Sequence, residues 1–342
     1  MYKIELSKID DLFCAIAQTQ KLYIPVDKND IDTEYEEYAY GKVLSKRLNT
    51  NRSAKDFFFP QTENLYDIKM NGKKIEITDT RSECEDFVIF GVRACDVRSF
   101  GILDKVYLAD PVDTYYKNRR DHGTIISLAC NRPEETCFCH SFGINAADPE
   151  GDIAAWIFGE ELYLDSKTER GATLLDSINS VLKSTDDTAV NESKKAIKTI
   201  INRLPLSKVN FEGMKKTELL EHFNNPKWAG LSESCLGCGT CTFVCPTCQC
   251  YDIREFDTGN GIKRFRCWDS CMYSDFTKMA HGNPRTSQVE RFRQRFMHKL
   301  VYFPDNNDGE FGCVGCGRCL KKCPVSLNIV KVEKALEVSK DE

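Results

Sequence analysis

With 342 residues, 41% of them hydrophobic, the chain has material for two domains of ordinary size, each with its own core. Its 47 basic and 52 acidic residues leave a net charge of -5, so nothing in the balance favours a polyanion and no nucleic-acid partner is expected. It contains no run of about 18 apolar residues and no signal-peptide core, which predicts a cytoplasmic chain with no membrane insertion.

In chain order, Phe87 to Val92 is a short apolar run suited to a buried strand, 97–108 has helical spacing, and Thr124 to Ala129 is a second buried-strand candidate. Ala154 to Phe158 and Glu161 to Leu164 read as a hairpin around Gly159, and 194–203 as a helix. Residues 1–204 are therefore expected to form an α/β domain with a mixed sheet. Pro205, Gly213, Asn224, Asn225 and Pro226 mark 205–228 as a connector around one short helix near 215–222. In the remaining stretch, 229–342, Val289, Phe292, Phe296, Leu300 and Phe303 recur at three- and four-residue steps until Pro304, which gives one face of an amphipathic helix. The basic residues around it, Arg285, Arg291, Arg293, Arg295 and Lys299, read as its solvated face, with the offset of nearby negative charge as a second role. A closing helix is expected over 326–339.

Eighteen cysteines need an explanation. A chain of this length needs no disulfide staples, so metal ligation comes first. Cys14, Cys84, Cys95, Cys130, Cys137 and Cys139 are scattered through the first 140 residues, and the other twelve crowd into 235–323. There, 235–246 and 313–324 repeat C-x2-C-x2-C-x3-C-P, the bacterial ferredoxin spacing, in which three thiolates grip one cubane and the fourth reaches the other cluster. This assigns Cys235, Cys238, Cys241 and Cys323 to a first [4Fe-4S] cluster, and Cys313, Cys316, Cys319 and Cys245 to a second. Paired zinc sites would instead combine two C-x2-C pairs. The predicted fold class is α+β: an N-terminal α/β domain and a C-terminal, mainly helical, dicluster ferredoxin-like domain with an inserted β-hairpin.

The hairpin is read from Tyr251 to Asp257 and Ile262 to Trp268, joined by Thr258-Gly-Asn-Gly261. A turn centred on Gly259 and Asn260 sets Cys248 opposite Cys271, whereas one centred on Asn260 and Gly261 sets Cys250 there. Cys95 follows one predicted strand, and Cys137 and Cys139 follow the other, at the carboxyl edge where α/β ligand sites lie. A third [4Fe-4S] cluster drawn from Cys137, Cys139, Cys248, Cys250, Cys271 and Cys95, a zinc site, and buried thiols without metal are the three alternatives. Cys14, Cys84 and Cys130 read as structural, and Cys267 is not counted as a ligand. Among the five histidines only His140 stands near a proposed site. No haem-attachment, dinucleotide or Walker motif is present, so electrons must enter and leave through partners.

Taken together, Phe59 to Leu65, Gly91 to Asp96, Thr136 to Cys139, the Cys-Pro-Thr-Cys-Gln-Cys run at 245–250, Ser270 to Met272 and Gly315 to Cys319 resemble one 4Fe-4S dicluster family. That family contains the β subunit of cytoplasmic sulfhydrogenases, which are NADP-reducing nickel-iron hydrogenases, together with the iron-sulfur subunit of anaerobic sulfite reductase. The resemblance runs from about residue 55 to 325. It implies an iron-sulfur electron-transfer subunit of a multi-subunit anaerobic oxidoreductase, placed between a flavin subunit that handles NAD(P)H and a catalytic subunit. The hydrogenase type is favoured over the sulfite reductase type. Cys95, Cys137, Cys139, Cys248, Cys250 and Cys271 have counterparts in the family pattern, which favours the third cluster; Cys267 has none. From the enzyme class, the alternative is a catalytic non-standard cluster or redox-active dithiol on the extra cysteines. The electron-carrier reading expects no substrate-converting site.

Overall fold

The computed structural model describes residues 1–47, 49–81, 84–215 and 218–337. Its strands are β1 Tyr2–Glu5, β2 Lys21–Asp27, β3 Thr33–Glu37, β4 Thr62–Asn71, β5 Lys74–Asp79, β6 Phe87–Val92, β7 Gly123–Leu128, β8 Ile153–Phe158, β9 Glu161–Ser166, β10 Lys183–Ser184, β11 Tyr251–Asp257 and β12 Ile262–Trp268. The chain divides into two units, one of Met1–Phe59 with Glu83–Ser207, the other of Pro60–Ser82 with Lys208–Glu342.

The first unit is built on an eight-stranded mixed sheet in the order β10-β1-β9-β8-β7-β6-β2-β3. β6 and β7 are buried at every residue, and neither has a polar face, as a central parallel strand covered on both sides requires. They pair in parallel from Phe87 opposite Gly123 onward, with the helices Ala94–Tyr107 and Thr114–His122 between them. The anticipated strand-helix-strand unit is therefore present. β8 and β9 form the hairpin around Gly159. On one face, Leu12, Phe13 and Ile16 of the helix Ile9–Ala17 pack with Leu174 and Leu175 against Leu22, Ile24, Val88, Phe90, Ile126 and Leu128. On the other, Val190, Ile197 and Ile201 of the helix Thr188–Asn202 cover Ala129, Ala154 and Trp156. Each fully buried leucine, isoleucine, valine or phenylalanine among them contributes about 1.5–3 kcal/mol through the apolar area it removes from water.

The second unit differs from the division drawn from the sequence. The hairpin forms over the anticipated residues, but it is half of a four-stranded antiparallel sheet, β11-β12-β4-β5, so residues 60–82 group with the C-terminal stretch. A period-two pattern identifies a strand without naming its partner. Glu63 on β4 stands opposite Arg266 on β12, the two are 5% and 3% exposed, and Arg266 Nε donates to Glu63 Oε2 at 2.6 Å.

Beside that sheet lies a helical core. Ser287 and Glu290 form a capping box that starts the helix Gln288–Met297. Its Phe292 and Phe296 pack on Trp228, with ring centroids 6.2 and 6.4 Å away. The helix does not stop at Pro304: it runs on through a π turn, His298–Tyr302, into Phe303–Asn306. Pro304 has no N–H to donate back along the helix, and the Lys299 carbonyl instead accepts from Gly312 N–H at 2.8 Å. The connector helix is Leu219–Phe223, with 216 and 217 outside the described residues, and the closing helix is Ile329–Glu337, with 338 and 339 likewise outside.

Candidate iron-sulfur centres

No disulfide joins any of the eighteen cysteines, and the twelve from Cys235 onward all belong to the second unit. Cys235 and Cys238 lie in the loop before the short helix Thr240–Phe243, which carries Cys241, and Cys323 ends the helix Arg318–Lys322. These four thiols line one pocket, partly open to solvent, whose remaining walls include Met272, Phe292, Leu327 and Arg295. Backbone amides point at the sulfurs: Gly237 N–H donates to Cys235 Sγ at 3.4 Å and Leu327 N–H to Cys323 Sγ at 3.3 Å. The loop's tight path needs Gly239, at φ +72°, where a Cβ would fall 2.7 Å from Tyr273 Oη.

The second motif is arranged similarly. Gly315 and Gly317 take positive φ, and Cys319 sits in the helix Arg318–Lys322. Burial pushes the Cys313 thiol up to about 12 and raises Cys319 as well; in both, the charges of Cys245 and Cys316 add to the rise. Cys245, from the first motif, is thus within electrostatic reach of Cys313 and Cys319.

The β11–β12 register, with Asp257 opposite Ile262, centres the turn on Gly259 and Asn260. Continued, it would set Cys248 opposite Cys271, but the regular ladder ends at Tyr251 and Trp268 and the thiols pair otherwise. Cys271 donates a hydrogen bond that holds Cys250 down to about 7. Cys248 donates to Cys245, and that bond, with Lys299 and Thr247, lowers the Cys245 thiol against the effect of burial. Cys267 faces Asp252 on β11 and Thr62 on β4, and burial raises its thiol.

In the first unit, Cys137 and Cys139 follow β7 and are 9% and 7% exposed, while Cys95 follows β6 in the first turn of the helix Ala94–Tyr107. Arg93 and Asp96, both buried, flank it. His140 Nε2 donates to the Ser207 carbonyl at 2.8 Å, so that nitrogen is already engaged. Cys14 Sγ lies 3.6 Å from Tyr38 Oη, and burial raises the Cys130 thiol.

Two basic residues depart from the solvated-face expectation. Arg295 and Lys299 are 4% and 6% exposed. Burial disfavours both charges, yet thiol charge outweighs it: Cys241, Cys319, Cys248 and Cys245 raise Arg295, and Cys245, Cys248 and Cys313 raise Lys299. Their position could be read from the sequence, since each follows a phenylalanine of the apolar stripe by three residues, which puts both on the core face. Arg295 Nε has no hydrogen-bond partner among the described residues. Thiols around a shared cavity, amides aimed at sulfur and a buried arginine with an unbonded Nε fit an anionic thiolate-bound cubane. Among the described residues no three His, Cys, Asp or Glu side chains converge tightly enough for a single metal ion, whereas a cubane spreads its four thiolates over four corners.

Residues 234–327 match the model of a 4Fe-4S dicluster domain. The chain is also 30% identical over 340 residues to the sulfhydrogenase 2 subunit beta of Pyrococcus furiosus, a match that covers 96% of each chain. The chain belongs to the sulfhydrogenase β-subunit family. As a member of that family it is a 4Fe-4S electron-transfer subunit of an oxidoreductase, with the α+β fold anticipated from the sequence. Among its described residues no helix is long and apolar enough to cross a membrane.

Proposed function

We propose that this chain is the electron relay of a cytoplasmic, hydrogenase-type enzyme, linking the flavin subunit that handles NAD(P)H to a catalytic subunit. Two [4Fe-4S] clusters would be held by Cys235, Cys238, Cys241 and Cys323, and by Cys313, Cys316, Cys319 and Cys245. When bound, each cubane takes up and gives back one electron. The observation that carries the reading is the cavity on which Cys323, from the second motif, meets three thiols of the first. The thiolates fix the cluster, the amides of Gly237 and Leu327 stabilise negative charge on sulfur, and Met272, Phe292 and Leu327 limit water access. Four-thiolate ligation leaves no open iron, so substrate conversion falls to a partner.

Anaerobic purification from the native host, followed by identification of the copurifying chains, tests the partner assignment. A flavin chain and a hydrogenase chain are the expected companions, and a sulfite-reducing chain in their place would overturn the hydrogenase reading. The surplus thiols Cys95, Cys137, Cys139, Cys248, Cys250 and Cys271 support a third cluster as well. Fully loaded protein should then contain about twelve iron atoms per chain rather than about eight. Eight iron atoms with one zinc would remove the third cluster.

A further inference from the structure

Arg295 and Lys299 lie one turn apart on the helix that begins at Gln288, and both are buried. They are held differently. Lys299 Nζ donates to the Gly312 carbonyl at 3.1 Å, next to Cys313, and to Thr247 Oγ1 at 2.7 Å, and that hydroxyl lies 3.3 Å from Cys245 Sγ. Lys299 is therefore tied to the second thiol set. Arg295 lines the cavity of the first set, has no carboxylate partner among the described residues, and keeps its Nε unbonded. A guanidinium cannot shed its proton to escape burial, and a buried charge without a counter-charge is strongly disfavoured. The missing negative charge is what four thiolates on a cubane supply.

We infer that Arg295 tunes the first cluster, its fixed positive charge raising that cluster's reduction potential, while Lys299 does the same for the second. This rests on the cluster assignment proposed above. The sign follows from electrostatics, because one-electron reduction adds negative charge and a nearby cation favours the reduced form.

The test is EPR-monitored titration of the full chain with dithionite as reductant, on the parent and on Arg295→Gln, Arg295→Lys and Lys299→Met. In Arg295→Gln one cluster midpoint should move to more negative potential while the others stay near the parent. In Lys299→Met a different midpoint should move, and Arg295→Lys should return the first towards the parent. Two intact cluster signals with unmoved midpoints in Arg295→Gln would overturn the inference while leaving the cluster assignment standing. Fewer than two clusters in the parent would instead sink the assignment. If Arg295→Gln fails to assemble clusters, Arg295→Lys decides: assembly with parent-like midpoints supports a role for charge, and failure of both variants refutes it.

Discussion

Replacing Glu63 by Gln would leave Arg266 charged, 3% exposed and without its carboxylate, 203 residues away in sequence. Breaking one side of a buried ion pair costs about 3–5 kcal/mol, because the remaining charge keeps its desolvation penalty and loses its compensation. The pair joins β4 to β12, so the loss should appear as local opening of that sheet. Amide hydrogen exchange read on peptides covering 60–82 and 251–268 is the assay, and at about 1.4 kcal/mol per decade exchange there should accelerate by about two to three and a half orders of magnitude. Peptides from β6 and β7, in the other unit, should be unaffected. A double variant, Glu63→Leu with Arg266→Met, removes both charges and should recover most of the protection. Parent-like exchange in Glu63→Gln would refute the claim that this pair fastens the N-terminal strands to the C-terminal sheet.

Cys323→Ser should abolish the cluster assigned to the first motif and leave the second, so iron falls by about four atoms per chain and one cluster signal is lost; loss of the second cluster alone would reverse the cross-motif assignment. Gly239→Ala places a Cβ against Tyr273 at a left-handed φ, a strain of about 1–3 kcal/mol that should lower occupancy of the first cluster, and adding Tyr273→Ala should restore it only in part because the backbone strain remains. Burial, with Lys299 and Arg285 adding to it, pushes His298 down to about 4, so as pH falls from about 6.5 towards 4 the unfolded chain binds a proton that the folded helix refuses and stability declines. Exchange protection of 288–302, compared at pH 7 and 5.5, should therefore drop more in the parent than in His298→Gln.

Features encoded at short range could be read directly from the residues. The two cysteine motifs specify their own loop geometry, since sulfurs three residues apart with glycines between them already outline the corners of a cubane. β6, β7, β11 and β12 appear where apolar runs and the Thr258-Gly-Asn-Gly261 turn predict them, because strand identity and hairpin register depend on neighbours a few residues away.

Long-range choices were decided by the tertiary structure. The 60–82 segment joins β12 because Glu63 and Arg266 neutralise each other there, and no local pattern announces that pairing. Spacing already puts Arg295 and Lys299 on the apolar face, but they keep their charges there because that face packs towards the thiols, where negative charge outweighs the cost of burial. Cys250 rather than Cys248 bonds to Cys271 because the hairpin register, kept as far as Asp269 N–H on the Cys250 carbonyl at 2.9 Å, gives way to a turn that starts at Ser270. Local sequence determined what each segment is and which thiols share a loop. The folded environment decided which distant segment each one meets and which charges burial keeps, because those depend on partners that lie near only once the chain has folded.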